Sequence, residues 1–380
     1  MSPSRRELGH ESDQSDDSYC FDQASLSNAH YRAGVQYDTR SIDIGPKQML
    51  HNFDNESCRD TPRINGSGSR SSSRDRECHD AEGTVATDPC VYGYGDGRRY
   101  HTYHAGKYLL PNDEKEQERM DLLHAVWDRV LKSDPLHKMP ISPARVLDIG
   151  TGTGIWAIDM AVKFPGAYVL GLDLSPIQPS WVPPNCCFEI FDIETGWPFQ
   201  GQFDLIHARS LAGSIADWSR FYMECFKHLT PGGFIEIQEH EICISAQEKE
   251  IPPAIRDWNA ALAQASAVFR KYLNVANSHA TWMKGAGFKD VLHVERRMPI
   301  GQWAKCKEKK ADGALTVFAM IESIEPYTFK LYTSVLGKSA EDTRATIAAV
   351  QEEIQSSRNQ LYVSFHIITA TKADETAYET

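Results

Sequence analysis

Three glycines alternate in Asp148-Ile149-Gly150-Thr151-Gly152-Thr153-Gly154. The apolar pair Val146-Leu147 precedes them, and a helix-like run, Ile155-Trp156-Ala157-Ile158, follows. A buried strand, a tight turn and a helix in that order form a platform for a nucleoside cofactor. Glycine lets a ligand approach the backbone closely. The amides of the turn and of the helix start can face a polar or anionic group. Two more acids stand at matching places. Asp173 closes the strand-like run Tyr168-Val169-Leu170-Gly171-Leu172, where an acid accepts hydrogen bonds from ribose hydroxyls. Asp192 follows Cys187-Phe188-Glu189-Ile190-Phe191, placed to hold the exocyclic amine of an adenine.

The pattern departs from a dinucleotide site. The third glycine of such a fingerprint would fall at Ile155, which lacks the small size needed for close helix–strand packing. Asp148, directly before the turn, opposes a pyrophosphate and suits a cationic sulfonium with an amino-acid tail. The cofactor indicated is S-adenosylmethionine, held by Asp148, Gly150, Gly152, Gly154, Asp173 and Asp192. The alternative for Asp148 alone is a turn-capping acid.

These residues need strands to carry them. Strands are expected at Arg145–Ile149, Tyr168–Leu172, Cys187–Phe191, Phe203–His207 and Phe234–Gln238, then from Phe288 toward Val294 and at Leu361–Thr369. Helices are expected at Asp113–Leu131, after Gly154, near Ser175 (short and Pro-broken), near Trp218, and at Pro252–Lys271, Ser278–Ala286, Ala314–Ile324 and Ala340–Ser356. Such alternation implies an α/β fold, a parallel sheet with helices on both faces. Polar residues alternate with Ile in Phe234–Gln238, which is odd for a central strand. Ligands bind outside the carboxyl ends of such strands. That places His207 near the reacting methyl as a base or orienting group, or as a structural histidine. Arg209 would anchor an acidic acceptor or make a surface salt bridge. Glu239, in Glu239-His240-Glu241, is a candidate base; no metal site is expected, because the ligand set is too small. Tyr103, in the aromatic stretch Tyr92 to Tyr108, is expected either to cover the cofactor as part of a lid or to pack as a strap.

The net charge of −12 argues against a nucleic-acid partner. No apolar run approaches membrane-spanning length. The nine cysteines lack C-x-x-C spacing and read as reduced thiols. Residues 1–90, rich in Ser, Asp, Arg and Gly, are expected to be a disordered tail. A lid and helical segment over 91–140, a catalytic domain over 141–372 and a short tail at 373–380 complete the expected organisation.

Further stretches carry a resemblance: Asp173-Leu174-Ser175-Pro176-Ile177-Gln178-Pro179, Trp181-Val182-Pro183-Pro184-Asn185, Phe203-Asp204-Leu205-Ile206-His207-Ala208-Arg209 and Leu229-Thr230-Pro231-Gly232-Gly233-Phe234-Ile235-Glu236. Upstream are Gly97-Arg98-Arg99-Tyr100-His101-Thr102-Tyr103 and Leu110–Arg119. With the glycine turn, these resemble the LaeA-like fungal class I methyltransferases of secondary metabolism, from about residue 90 to the last strand. The resemblance implies a Rossmann-like seven-stranded sheet whose last strand is antiparallel. It also implies methyl transfer from S-adenosylmethionine to a small-molecule acceptor; the reduced thiols make a cytoplasmic location the expectation. The family's regulatory members carry Cys between the first two glycines and a His-Pro-Lys-Asn segment. Here Thr151 and Val182-Pro183-Pro184-Asn185 stand in those places, as in biosynthetic members. A regulatory role would place the protein in a nuclear complex, with the N-terminal tail as the arm for a protein partner.

Overall fold

The computed structural model describes residues 92–104, 106–131, 145–199, 201–356 and 358–374. The expected tail over 1–90 and residues 375–380 lie outside these. The described part of the chain opens with a hairpin, β1 (Tyr92–Gly95) and β2 (Arg98–His101), closed by Asp96 and Gly97, both at positive φ. That Asp-Gly pair suits the hairpin turn, a signal the sequence reading passed over. Helix α1 (Glu114–Leu131) follows. Asp113 caps it by accepting the Glu116 amide at 3.0 Å, and Arg98 binds the same carboxylate at 2.6 Å, tying hairpin to helix.

The main sheet is built from β3 (Arg145–Ile149), β4 (Tyr168–Asp173), β5 (Cys186–Ile190), β6 (Phe203–Arg209), β7 (Leu229–His240), a two-residue β8 (Ser245–Ala246), β9 (Lys289–Pro299) and β10 (Leu361–Thr371). Its order runs β5-β4-β3-β6-β7-β10, with β9 on the far side of β10 and β8 extending the β7 edge. The first five strands are parallel, and β10 runs antiparallel to both β7 and β9. The expected seven-stranded, Rossmann-like arrangement with a reversed last strand is therefore present.

Helices cover both faces. Ile206, Ile235 and Ala370 pack with α3 (Trp218–His228) and α5 (His279–Gly285). Val146, Val169 and Leu205 on the other face pack with α2 (Ile155–Lys163). Further along that side, Phe365 and Ile367 share a core with Trp127 of α1 and with α4 (Pro253–Phe269), α6 (Lys307–Lys330) and α7 (Ala340–Gln355). The helix expected at Ala314–Ile324 is only the middle of α6, which keeps Pro326 inside it and ends in a π-helical turn, Leu331–Val335. One expectation fails. No helix forms near Ser175, because prolines at 176, 179, 183 and 184 remove donors along that stretch. The connection between β5 and β6, for which the sequence gives no clear helix, has none among the described residues.

Cross-strand register resolves the alternation in β7. Ile235 and Ile237 face the α3 side, whereas Glu236 pairs across to His207 and Gln238 to Arg209 on the opposite face. One face of the strand is thus hydrophobic core, and the other belongs to a buried polar array.

Gly154, at φ +83, shows how tightly the turn is packed: a Cβ there would lie 2.4 Å from the Phe188 ring. Gly154→Ala is therefore expected to destabilise the fold by about 2 kcal/mol or more, from left-handed strain and overpacking together. Thermal unfolding checks this, and an unchanged midpoint would contradict it.

Candidate active site

A cavity opens beyond the carboxyl ends of β3, β4, β5 and β6, where an open α/β sheet places its ligands. Together with the open space at its mouth it encloses about 1320 Å³. Asp148, Gly150, Gly152, Asp173, Asp192 and His207 all line it. Gly154 does not; it sits behind the turn at the start of α2, against Phe188.

Asp148 is buried and bonded on both oxygens. Thr151 Oγ1 donates to one at 2.6 Å, and His207 Nδ1 to the other at 2.7 Å. Thr151, the residue between the first two glycines, thus closes the turn onto the acid before it. The His207 ring lies flat against Trp156, with centroids 3.6 Å apart. Burial pulls the His207 pKa down despite Asp148, so the imidazole is neutral at pH 7, with its proton on Nδ1. Its Nε2 is buried and has no partner.

Asp173 accepts the Gly152 amide at 2.8 Å and the Ser175 amide at 2.9 Å. Burial nevertheless raises its pKa to about 6. Asp192 is buried too, but the Lys107 ammonium at 2.7 Å, His104 Nδ1 at 2.5 Å and the Glu194 amide hold its carboxyl below the usual range.

Two further expected site residues also stand elsewhere. Tyr103 does not line the cavity; it stacks on His104 at 4.2 Å, and the strap reaches the site through Lys107 and Tyr108 instead. The aromatic content of that stretch hid its working cation. Glu239 lies on the α3 side of the sheet, also away from the cavity. One of its oxygens accepts the amides of Leu211 and Ala212 at 2.8 and 3.1 Å, and burial raises its pKa to about 8. It is a protonated anchor for the turn after β6. The one-residue alternation of a strand sends Glu239 to the face opposite Gln238. Trp156, Arg119, His124, Lys271 and Tyr327 also line the cavity and were not singled out from sequence. Of these only Trp156, two residues past the turn, had a local signal.

Three strand-end acids around a glycine turn fit a cationic nucleoside and oppose a pyrophosphate. A methyltransferase-domain family model matches residues 113–293. The methyltransferase pytC of Aspergillus terreus is 38% identical over 286 residues, 74% of this chain and 88% of that protein. The secondary metabolism regulator LAE1 of Cochliobolus heterostrophus is 35% identical over 293 residues, 74% of this chain and 94% of that protein. The chain belongs to the LaeA-like class I methyltransferases. Among solved structures, a Haemonchus contortus phosphoethanolamine N-methyltransferase 2 aligns with a TM-score of 0.40 at 17% identity, over 66% of this chain and 52% of the other. S-adenosylmethionine is the cofactor of this LaeA-like methyltransferase, and the acids lining the cavity suit it. No helix among the described residues is long and apolar enough to cross a membrane.

Glu239→Gln keeps the shape and the amide contacts of the protonated acid. In a strain lacking the wild-type gene, this variant is expected to restore the methylated product to within about twofold of wild type, whereas removing a true general base costs about a hundredfold or more. A loss of that size would return Glu239 to the catalytic machinery.

Proposed function

We propose that this chain transfers a methyl group from S-adenosylmethionine to an oxygen or nitrogen of a small-molecule acceptor in fungal secondary-metabolite biosynthesis. The observation carrying this reading is a single cavity on whose wall Asp148, Asp173 and Asp192 surround the glycine turn. The bound cofactor supplies a methyl on a sulfonium, already a good leaving group. The chain's residues then have to bind, align and exclude water. Asp173 holds the ribose hydroxyls. Asp192, with the strap residues Lys107 and His104 on it, closes the adenine end. Asp148 places negative charge beside the turn, and its bond to His207 seats the imidazole under Trp156.

His207 acts in this scheme as a positioning residue, since its free nitrogen is sealed off. With Glu239 on the other face, no side chain among the described residues stands out as a base. That favours an acceptor acidic enough to lose its proton without help. Residues 91–140 serve as the lid over the domain 141–372, and the flanking segments as tails.

Likeness to LAE1 supports a second reading, a regulator of secondary metabolism with a protein partner on the N-terminal tail. Deletion of the gene separates them. Loss of one methylated product, with a tagged protein in the cytoplasm, fits the enzyme. Global metabolite loss, with the tagged protein in the nucleus, fits the regulator.

Asp173→Ala is expected to weaken S-adenosylmethionine binding at least about tenfold with the fold retained, since hydrogen bonds to a charged group each contribute roughly 1.5–3 kcal/mol. Calorimetry checks this, and unchanged affinity would refute the ribose role. The same carboxylate sets a pH dependence. Its raised pKa means that it takes up a proton as pH falls through about 6, so wild-type donor affinity should drop between pH 7 and pH 5. A flat profile there would count against an ionised Asp173 as the ribose acceptor.

A further inference from the structure

Four basic side chains of the lysine and arginine type line the cavity among the described residues: Lys107, Arg119, Arg209 and Lys271. Three of them are neutralised by a carboxylate. Lys107 pairs with Asp192 at 2.7 Å, Arg119 with Glu116 at 2.7 Å and Lys271 with Glu194 at 2.8 Å. Arg209 differs. Its Nε donates to Gln238 Oε1 at 2.7 Å and its Nη1 to His124 Nδ1 at 3.0 Å, both uncharged acceptors. No carboxylate among the described residues lies within ion-pair distance of it, and no hydrogen bond among them uses Nη2.

The neutrality of these partners is built in. Gln238 turns its oxygen to Arg209 because its amide nitrogen donates to Glu236. His124 accepts from Arg209 on Nδ1, so its own proton is on Nε2, facing Asp159 at 3.2 Å. Trp127 flanks the guanidinium, with the ring centroid 5.5 Å away. The guanidinium is therefore fixed in place while its charge stays uncompensated at contact range. Burial lowers its pKa to about 10, although Asp148, Glu236, Asp128 and Asp159 oppose that at longer range. It remains fully charged at pH 7. A fixed fork of donors with one arm free matches a planar anion. Arg209 also ends β6, two residues past His207, away from the acids that close the adenine end.

We propose that Arg209 is the anchor for an anionic group, a carboxylate or an acidic enol, on the methyl acceptor. This rests on the methyltransferase reading and adds the charge class of the substrate to it. It also agrees with a site in which no described residue stands out as an accessible base, because an acidic acceptor delivers its own nucleophilic oxygen or supplies the anion that Arg209 holds.

The test uses the full chain saturated with S-adenosylhomocysteine and two matched probes, benzoate and benzamide, titrated by ligand-observed NMR. Wild type should bind benzoate about tenfold more tightly than benzamide, the scale of one charge-assisted hydrogen-bonded contact. In Arg209→Gln the two should agree within about twofold, with benzamide affinity and S-adenosylhomocysteine affinity unchanged. Arg209→Lys should keep part of the preference, which separates charge from folding. Benzoate that fails to bind, or binds no more tightly than benzamide to wild type, overturns the proposal, as does a preference that survives in Arg209→Gln. If S-adenosylhomocysteine itself does not bind, the methyltransferase reading fails instead. The benzoate and benzamide titrations on the free chain then still decide the anion site.

Discussion

The Asp148 carboxylate, buried between Thr151 and His207, is the constraint on which the site depends. A buried carboxylate is tolerated only when its oxygens are hydrogen-bonded. Both bonds here have architectural consequences. The Thr151 hydroxyl folds the glycine turn back over the end of β3. The His207 bond crosses from β3 to β6 and fixes the imidazole in one orientation. That ring then offers a flat surface to Trp156, which orients the first turn of α2. Turn, sheet and helix are locked by one acid. Losing either partner would leave an oxygen of a buried carboxylate without its hydrogen bond, and hydrogen bonds to a charged group each contribute about 1.5–3 kcal/mol.

The sheet extends this polar floor sideways. Glu236 and Gln238 of β7 lie beside His207 and Arg209 of β6, and His124 of α1 completes the row. The opposite face of the same strands carries Ile206, Ile235 and Ile237 against α3. A central strand thus serves two environments at once. Hydrogen bonds within the row, from Arg209 to Gln238 and His124 and from Gln238 to Glu236, keep Arg209 both fixed and charged. Acids gather at the ends of β3, β4 and β5, and the uncompensated cation stands at the end of β6. A cationic donor and an anionic acceptor would be sorted by that gradient.

Much of this was legible in the sequence. Short apolar runs located the seven long strands, and the acids that end three of them marked the cavity. The glycine spacing identified the turn. The failures share a physical cause, because each depended on which way a side chain faces after packing. Glu239 looked like a mouth residue by position, but strand alternation turns it to the α3 side. Tyr103 was favoured for its ring, yet the tertiary path of the strap brings Lys107 to Asp192. Arg209 reads from sequence as either an anchor or a surface bridge, and only packing shows it buried against Gln238 and His124. The expected crossover helix after β4 was lost to proline, a signal present in the sequence and given too little weight.

The cavity's identity as a methyl-donor site is tested most directly by a crystal structure of the full chain grown with S-adenosylhomocysteine. The expected result is nucleoside density between the Gly152 turn and Asp173, with His207 Nδ1 still on Asp148 and Trp156 still over the ring. Density at another place, or a His207 imidazole swung away from Asp148 toward the ligand, would contradict it.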